Sequence, residues 1–208
     1  MQTWTQTRDV RAARRSVPSV LGPDFAEVLR GAQAHDDDAF AALWRDLHPQ
    51  VLRYLRVVVG DAADDIASET WAGVARGIDR FDGDELGFRA WVFMIARHRT
   101  VDWRRREARR PVEPQPLEAM TDSEAPDDPE ADVVAALSTK AALDLIGTLP
   151  PRQAEVVALR AVAGLDVAQV AAILGKSPGA VRVLAHRGLQ TLARTLADAE
   201  TGHEEVRP

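Results

Sequence analysis

Apolar residues recur every three or four positions through most of this chain, the spacing of one face of an α-helix. Phe25, Val28, Leu29 and Ala32 predict a short amphipathic helix. Behind an acidic cap at Asp36 to Asp38, Phe40, Leu43, Trp44 and Leu47 predict a second, which Val51, Leu52, Leu55 and Val59 extend. Pro49 predicts a kink or a new first turn within it, because proline lacks the N–H that a helix interior needs. Gly60 and Asp61 end that helix. Ile66, Thr70, Trp71, Val74 and Ile78 mark the buried stripe of a third, which leaves Asp65, Ser68, Glu69 and Ala72 facing outward. After the loop FDGDELG, a fourth helix buries Phe88, Trp91, Val92, Ile95 and Ala96 and gathers arginines towards its C-terminal half.

The pattern then lapses. Residues 111–132 are rich in Pro, Asp and Glu and nearly free of large apolar side chains, the composition of a flexible linker. Periodicity resumes near Val133, with Leu143, Leu145, Ile146 and Leu149 predicting one helix, a break at Pro150 and Pro151, and another helix over Arg152 to Ala163. The expected fold is all-α: two small helical domains, 24–110 and 133–196, joined by the acidic linker, with a tail over 1–23 and another over 197–208.

The stretch GLDVAQVAAILGKSPGAVRVLAHRGLQTL reads as a helix-turn-helix. Ala171 lets two helices cross closely, Gly175 suits the positive φ of the turn, and Leu174, Val181 and Leu184 fill the junction. Ser177 is a natural N-cap and Pro178 suits the first helical position, so the second helix starts there and is expected to run to about Leu192. Arg182, Val183, His186 and Arg187 fall on its outer face, where arginine can reach guanine O6 and N7 in a DNA major groove.

Composition narrows the classes. Of 208 residues, 46% are hydrophobic, enough for packed cores, and no apolar run approaches the roughly 18 residues of a membrane span. No signal peptide is visible in Met1 to Arg15, so a cytoplasmic location is expected. With no cysteine there is no disulfide and no thiolate metal site, which suits a reducing compartment. A net charge of −6 conceals a sharp segregation. Arg89 to Arg110 holds eight arginines against Asp102 and Glu107, whereas Pro111 to Ser138 holds eight acids and no base. An arginine-dense helix interleaved with Trp91 and Trp103 suits nucleic acid, because arginine neutralises phosphate and aromatic faces stack on unpaired bases.

Taken in order, DDAFAALWRDLHPQVLRYL, ADDIASETWAGVARGIDRFDG, FRAWVFMIARHRTVDWRRR and LPPRQAEVVALRAVAGLDVAQVAAILGKSPGAVRVLAHRGLQTL resemble an extracytoplasmic-function sigma factor, a two-domain specificity subunit of bacterial RNA polymerase in the sigma-70 family. The resemblance implies that residues 24–110 are sigma region 2 and 133–196 region 4. It implies that Asp65, Ser68 and Glu69 dock on the clamp helices of core RNA polymerase. Phe81, Asp82, Gly83 and Asp84, with His98, Arg99, Arg104 and Arg105, match the part that captures an unstacked base of the minus-ten element and holds the melted strand. Arg182, Val183, His186 and Arg187 match positions that read the double-stranded minus-thirty-five element. Ser68 stands where the family commonly has glutamine, His98 where asparagine is frequent, and Val183 and Leu184 where serine and arginine are often found. An anti-sigma factor is an expected partner; no cofactor, no metal, no catalytic residue and no membrane insertion are expected.

Two other readings fit parts of the chain. A transcriptional regulator could carry the same helix-turn-helix behind a sensor or dimerisation domain. A metal-dependent nuclease could use Asp64, Asp65 and Glu69, although no further ligand lies at suitable spacing.

Overall fold

The computed structural model describes residues 22–109 and 140–204, and every regular element among them is helical. The front module contains α1 (Phe25–Gln33), α2 (Asp37–Val59), α3 (Ala63–Gly77) and α4 (Glu85–Glu107). The rear module contains α5 (140–147), α6 (Pro151–Ala161), α7 (Val167–Leu174) and α8 (Pro178–Glu204).

Local chemistry sets the helix starts. The Asp36 carboxylate accepts from the backbone N–H of Asp38 and Ala39 to open α2, and Asp84 accepts from Gly87 to open α4. Asp166 and Gln169 form a reciprocal capping box on α7. Two expectations need correction. Pro49 starts no new helix: α2 runs unbroken through it, because its apolar stripe continues on the same face, from Leu43 and Leu47 to Val51 and Leu55. Nor does α8 end near Leu192; it continues to Glu204, since no glycine or proline intervenes between Leu189 and Thr201 and Ala, Leu and Glu favour the helix.

Helix α4 is the centre of the front module. It packs on α3 along one side and on α2 along another. Phe88, Val92 and Ala96 are buried as their spacing predicts, and so are Ala90 and Phe93, which lie on a different side of the helix. Phe93 meets Tyr54 of α2 edge-on, with ring centroids 5.5 Å apart. Close approach of α3 to α4 depends on two glycines one turn apart. A Cβ at Gly77 would stand 2.9 Å from the Trp91 ring, and one at Gly73 would stand 3.0 Å from Ile95.

Candidate nucleic-acid interface

Three surfaces carry the residues singled out by the sequence. The first is the outward face of α3. Asp65 and Ser68 are exposed, and the Ser68 hydroxyl donates to the Asp64 carbonyl at 3.0 Å. Glu69 is half-exposed and already engaged: Arg106 of α4 approaches its carboxylate at 3.2 Å. That pair ties the acidic face to the end of the arginine-rich helix. Being largely in solvent, it contributes at most about 1 kcal/mol to stability. Among the described residues no group of His, Cys, Asp or Glu gathers in a way that could hold a metal ion.

The second surface runs along α4. At its start, Asp82, Gly83 and Asp84 are exposed, but Phe81 turns inward. Its ring packs on Phe88 and Trp91, with centroids 5.2 Å from each. Phe81 is half-buried and supports the loop from beneath. Asp84 is occupied as the N-cap of α4. Gln33, which the sequence did not single out, holds the loop to α1 by donating from Nε2 to the carbonyls of Ile78 and Phe81, at 3.0 and 2.8 Å. Its only signal was an amide at a helix end.

Further along α4, His98, Arg99 and Arg105 line one recess of about 550 Å³ with Gly73, Arg97 and Asp102. The glycine lets Arg99 fold against α3, where its Nε is buried without a hydrogen bond. Arg105 is exposed and pairs loosely with Asp102 at 3.7 Å. Arg104 points elsewhere: its Nη2 donates to the Val58 carbonyl at 2.8 Å and fastens the end of α2. The loop and the recess are not one pocket. Fourteen residues separate Asp84 from His98, which is about 20 Å of helix.

Arg89, counted above with the arginines of this helix, does not belong to its cationic face. Its side chain is buried, donating to Gln50 Oε1 and lying 3.9 Å from Asp46 on α2. Burial holds its pKa below the ordinary guanidinium value, and the neighbouring Asp46 carboxylate opposes that shift. Arg89 thus belongs to the core, and the positive surface begins at Arg97.

The third surface is α8. Gly175 adopts φ 60° and ψ 39°, and the Ser177 hydroxyl accepts from the Ala180 N–H at 3.2 Å, so the turn and the second helix form as expected. Ala171 and Val181 are buried at the crossing. Arg182, Val183, His186 and Arg187 are all exposed, Val183 by 49%. Gly188, on the opposite side, lets α8 close onto α6; a Cβ there would stand 2.8 Å from Val157.

Two family models match this chain: Sigma-70 region 2 over residues 43–110 and Sigma-70, region 4 over residues 139–192. The chain is 37% identical to the ECF RNA polymerase sigma factor BldN of Streptomyces coelicolor, over 83% of this chain and 66% of that one. It is 36% identical to the ECF RNA polymerase sigma factor ShbA of Streptomyces griseus, over 86% of this chain and 96% of the relative. The solved structure of CnrH with the cytosolic domain of CnrY shares the fold, with a TM-score of 0.56 at 22% identity, covering 83% of this chain and 96% of that one. The chain belongs to the ECF RNA polymerase sigma factors, promoter-recognition subunits with no enzymatic activity of their own. No helix among the described residues is long and apolar enough to cross a membrane.

Proposed function

We propose that this chain divides promoter recognition between its two modules. The rear module, from about residue 133 to 196, reads the minus-thirty-five duplex with Arg182, Val183, His186 and Arg187. The front module, within 24–110, docks on the polymerase clamp helices through Asp65, Ser68 and Glu69. It holds the melted minus-ten strand with Asp82 to Asp84, His98, Arg99 and Arg105. The acidic segment 111–132 links them, so that two modest contacts reinforce each other through effective concentration. The chain acts in the cytoplasm, where the polymerase is, and an anti-sigma protein is the class of regulator expected to hold it.

The observation that carries this reading is the row Arg182, Val183, His186 and Arg187. The four lie on one exposed face of a helix whose other side is fixed by Gly188 against α6. A rigid helix with free donors is what base readout in a major groove requires. Phe81 and Arg104 move from direct contact to support, Phe81 beneath the loop and Arg104 at the end of α2.

The test is assembly with purified bacterial core polymerase on a gel-filtration column. A stoichiometric complex is expected, and reversing charge with Asp65→Lys and Glu69→Lys should abolish it while the protein stays folded. A chain that elutes alone, with no inhibitor present, contradicts the proposal; a DNA-binding regulator would behave that way.

A further inference from the structure

Helix α1 carries none of the residues assigned above to polymerase or to DNA, yet it meets the base of the Phe81–Asp84 loop at two points. Its first residue, Phe25, lays its ring 5.7 Å from that of Phe88, which in turn meets Phe81 at 5.2 Å. A chain of rings therefore runs from α1 to the underside of the loop. Its last residue, Gln33, donates from one Nε2 to two carbonyls, those of Ile78 and Phe81. A primary amide nitrogen has two hydrogens, and here each finds an acceptor.

The loop has little else to fix it. Phe81 to Asp84 lie outside any helix. Asp84 is secured by α4, whose N-terminus it caps, and at the other end the Phe81 carbonyl is secured by Gln33. Between them Gly83 closes over the Phe81 ring, where a Cβ would stand 3.0 Å from it. Each loop residue that has to be ordered on binding subtracts from affinity, so a loop held in shape beforehand binds more tightly.

A brace must itself be rigid. Gly31 lets α1 close on α2, since a Cβ there would stand 2.9 Å from Cβ of Ala39. The turn that joins the two helices holds His35 at φ 62°, a left-handed conformation uncommon in residues other than glycine. Leu29 and Ala32 are buried beneath.

We infer that Gln33 is a positioning residue for capture of the melted minus-ten strand: through its two hydrogen bonds α1 sets the shape in which Asp82 and Gly83 meet an unpaired base. The inference rests on the promoter-binding reading above. The chemistry of the position is narrow. An ionised glutamate has the same reach but only accepts, asparagine is one methylene shorter, and methionine has the length without a donor.

Full-length Gln33→Met and Gln33→Glu test the inference. In the free chain, backbone order parameters at Asp82, Gly83 and Asp84 should fall from the ~0.85 of rigid backbone to below about 0.6 in both variants. Those of α6 and α8 should stay at the wild-type values. Bound to core polymerase, both variants should lose about three- to tenfold in affinity for a single-stranded oligonucleotide carrying the minus-ten element of a promoter mapped by run-off transcription. Affinity for the minus-thirty-five duplex and for polymerase should not change, a selectivity that a folding defect would not produce. Gly83→Ala disturbs the loop directly, so the double variant with Gln33→Met should lose little more than either change alone. Order parameters that stay high in both variants, strand affinity equal to the wild type, or fully additive losses would each overturn the role given to Gln33. If the wild-type chain directs no initiation while Gln33→Met still loosens the loop, the promoter reading fails and the brace stands.

Discussion

The arginines of α4 and those of α8 look alike in the sequence and differ in the folded chain. On α4 nearly every one has an internal partner. Arg89 lies in the core with Asp46 and Gln50, Arg97 meets Glu155, Arg104 ties down Val58, and Arg106 holds Glu69. On α8, Arg182 and Arg187 are exposed with no ion pair or side-chain hydrogen bond among the described residues. The difference follows from what surrounds each helix. Helix α4 is enclosed by α2, α3 and α7, so its side chains find partners on several sides, whereas α8 packs through one side and leaves the other to a ligand. A free donor row is open to a ligand; a partnered one has to exchange its partner before it can bind anything.

Five substitutions break or sharpen that contrast. The largest effect belongs to Gly77→Ala, which forces a methyl group against the Trp91 ring at 2.9 Å. It should cost about 1–3 kcal/mol in chemical denaturation and loosen the α3–α4 surface; unchanged stability would mean that the helices do not depend on that approach. Arg187→Ala comes next, with a loss of roughly 1–3 kcal/mol in affinity for the minus-thirty-five duplex, confined to one base position. Its melting temperature should stay at the wild-type value. Equal losses across all duplex sequences would show that Arg187 only meets phosphate.

Arg104→Ala and Arg105→Ala separate support from contact on α4. The first should cost about 1 kcal/mol of folding stability through the lost bond to Val58. The second should leave stability within about 0.5 kcal/mol and reduce the salt slope of strand binding by about one phosphate contact. The reverse result would exchange their roles. Glu69→Ala should likewise leave stability within roughly 0.5 kcal/mol, because its pair with Arg106 is largely in solvent. Polymerase affinity should nonetheless fall. If it does not, the acidic face of α3 is not the docking surface.

The rear hairpin was legible because its signals are local: a left-handed residue at Gly175, a hydroxyl cap at Ser177 and small or apolar residues at fixed steps between them. The helical stripes were legible for the same reason. What the sequence hid was direction. A charge reads the same whether it faces water, as Arg105 does, or a buried carboxylate, as Arg89 does. Phe81 sat in a loop of acids and glycine and gave no sign that its ring joins Phe88 and Trp91. Pairings between distant segments, such as Gln33 with the Phe81 carbonyl or Glu155 with Arg97, leave no mark on periodicity at all.

Run-off transcription with purified core polymerase on genomic fragments, followed by mapping of start sites, tests the central claim most directly. The chain should confer initiation at a defined set of promoters sharing an upstream and a minus-ten element, and Arg187→Ala should shift the upstream consensus at a single position. Transcription that is the same with and without the chain would contradict the account.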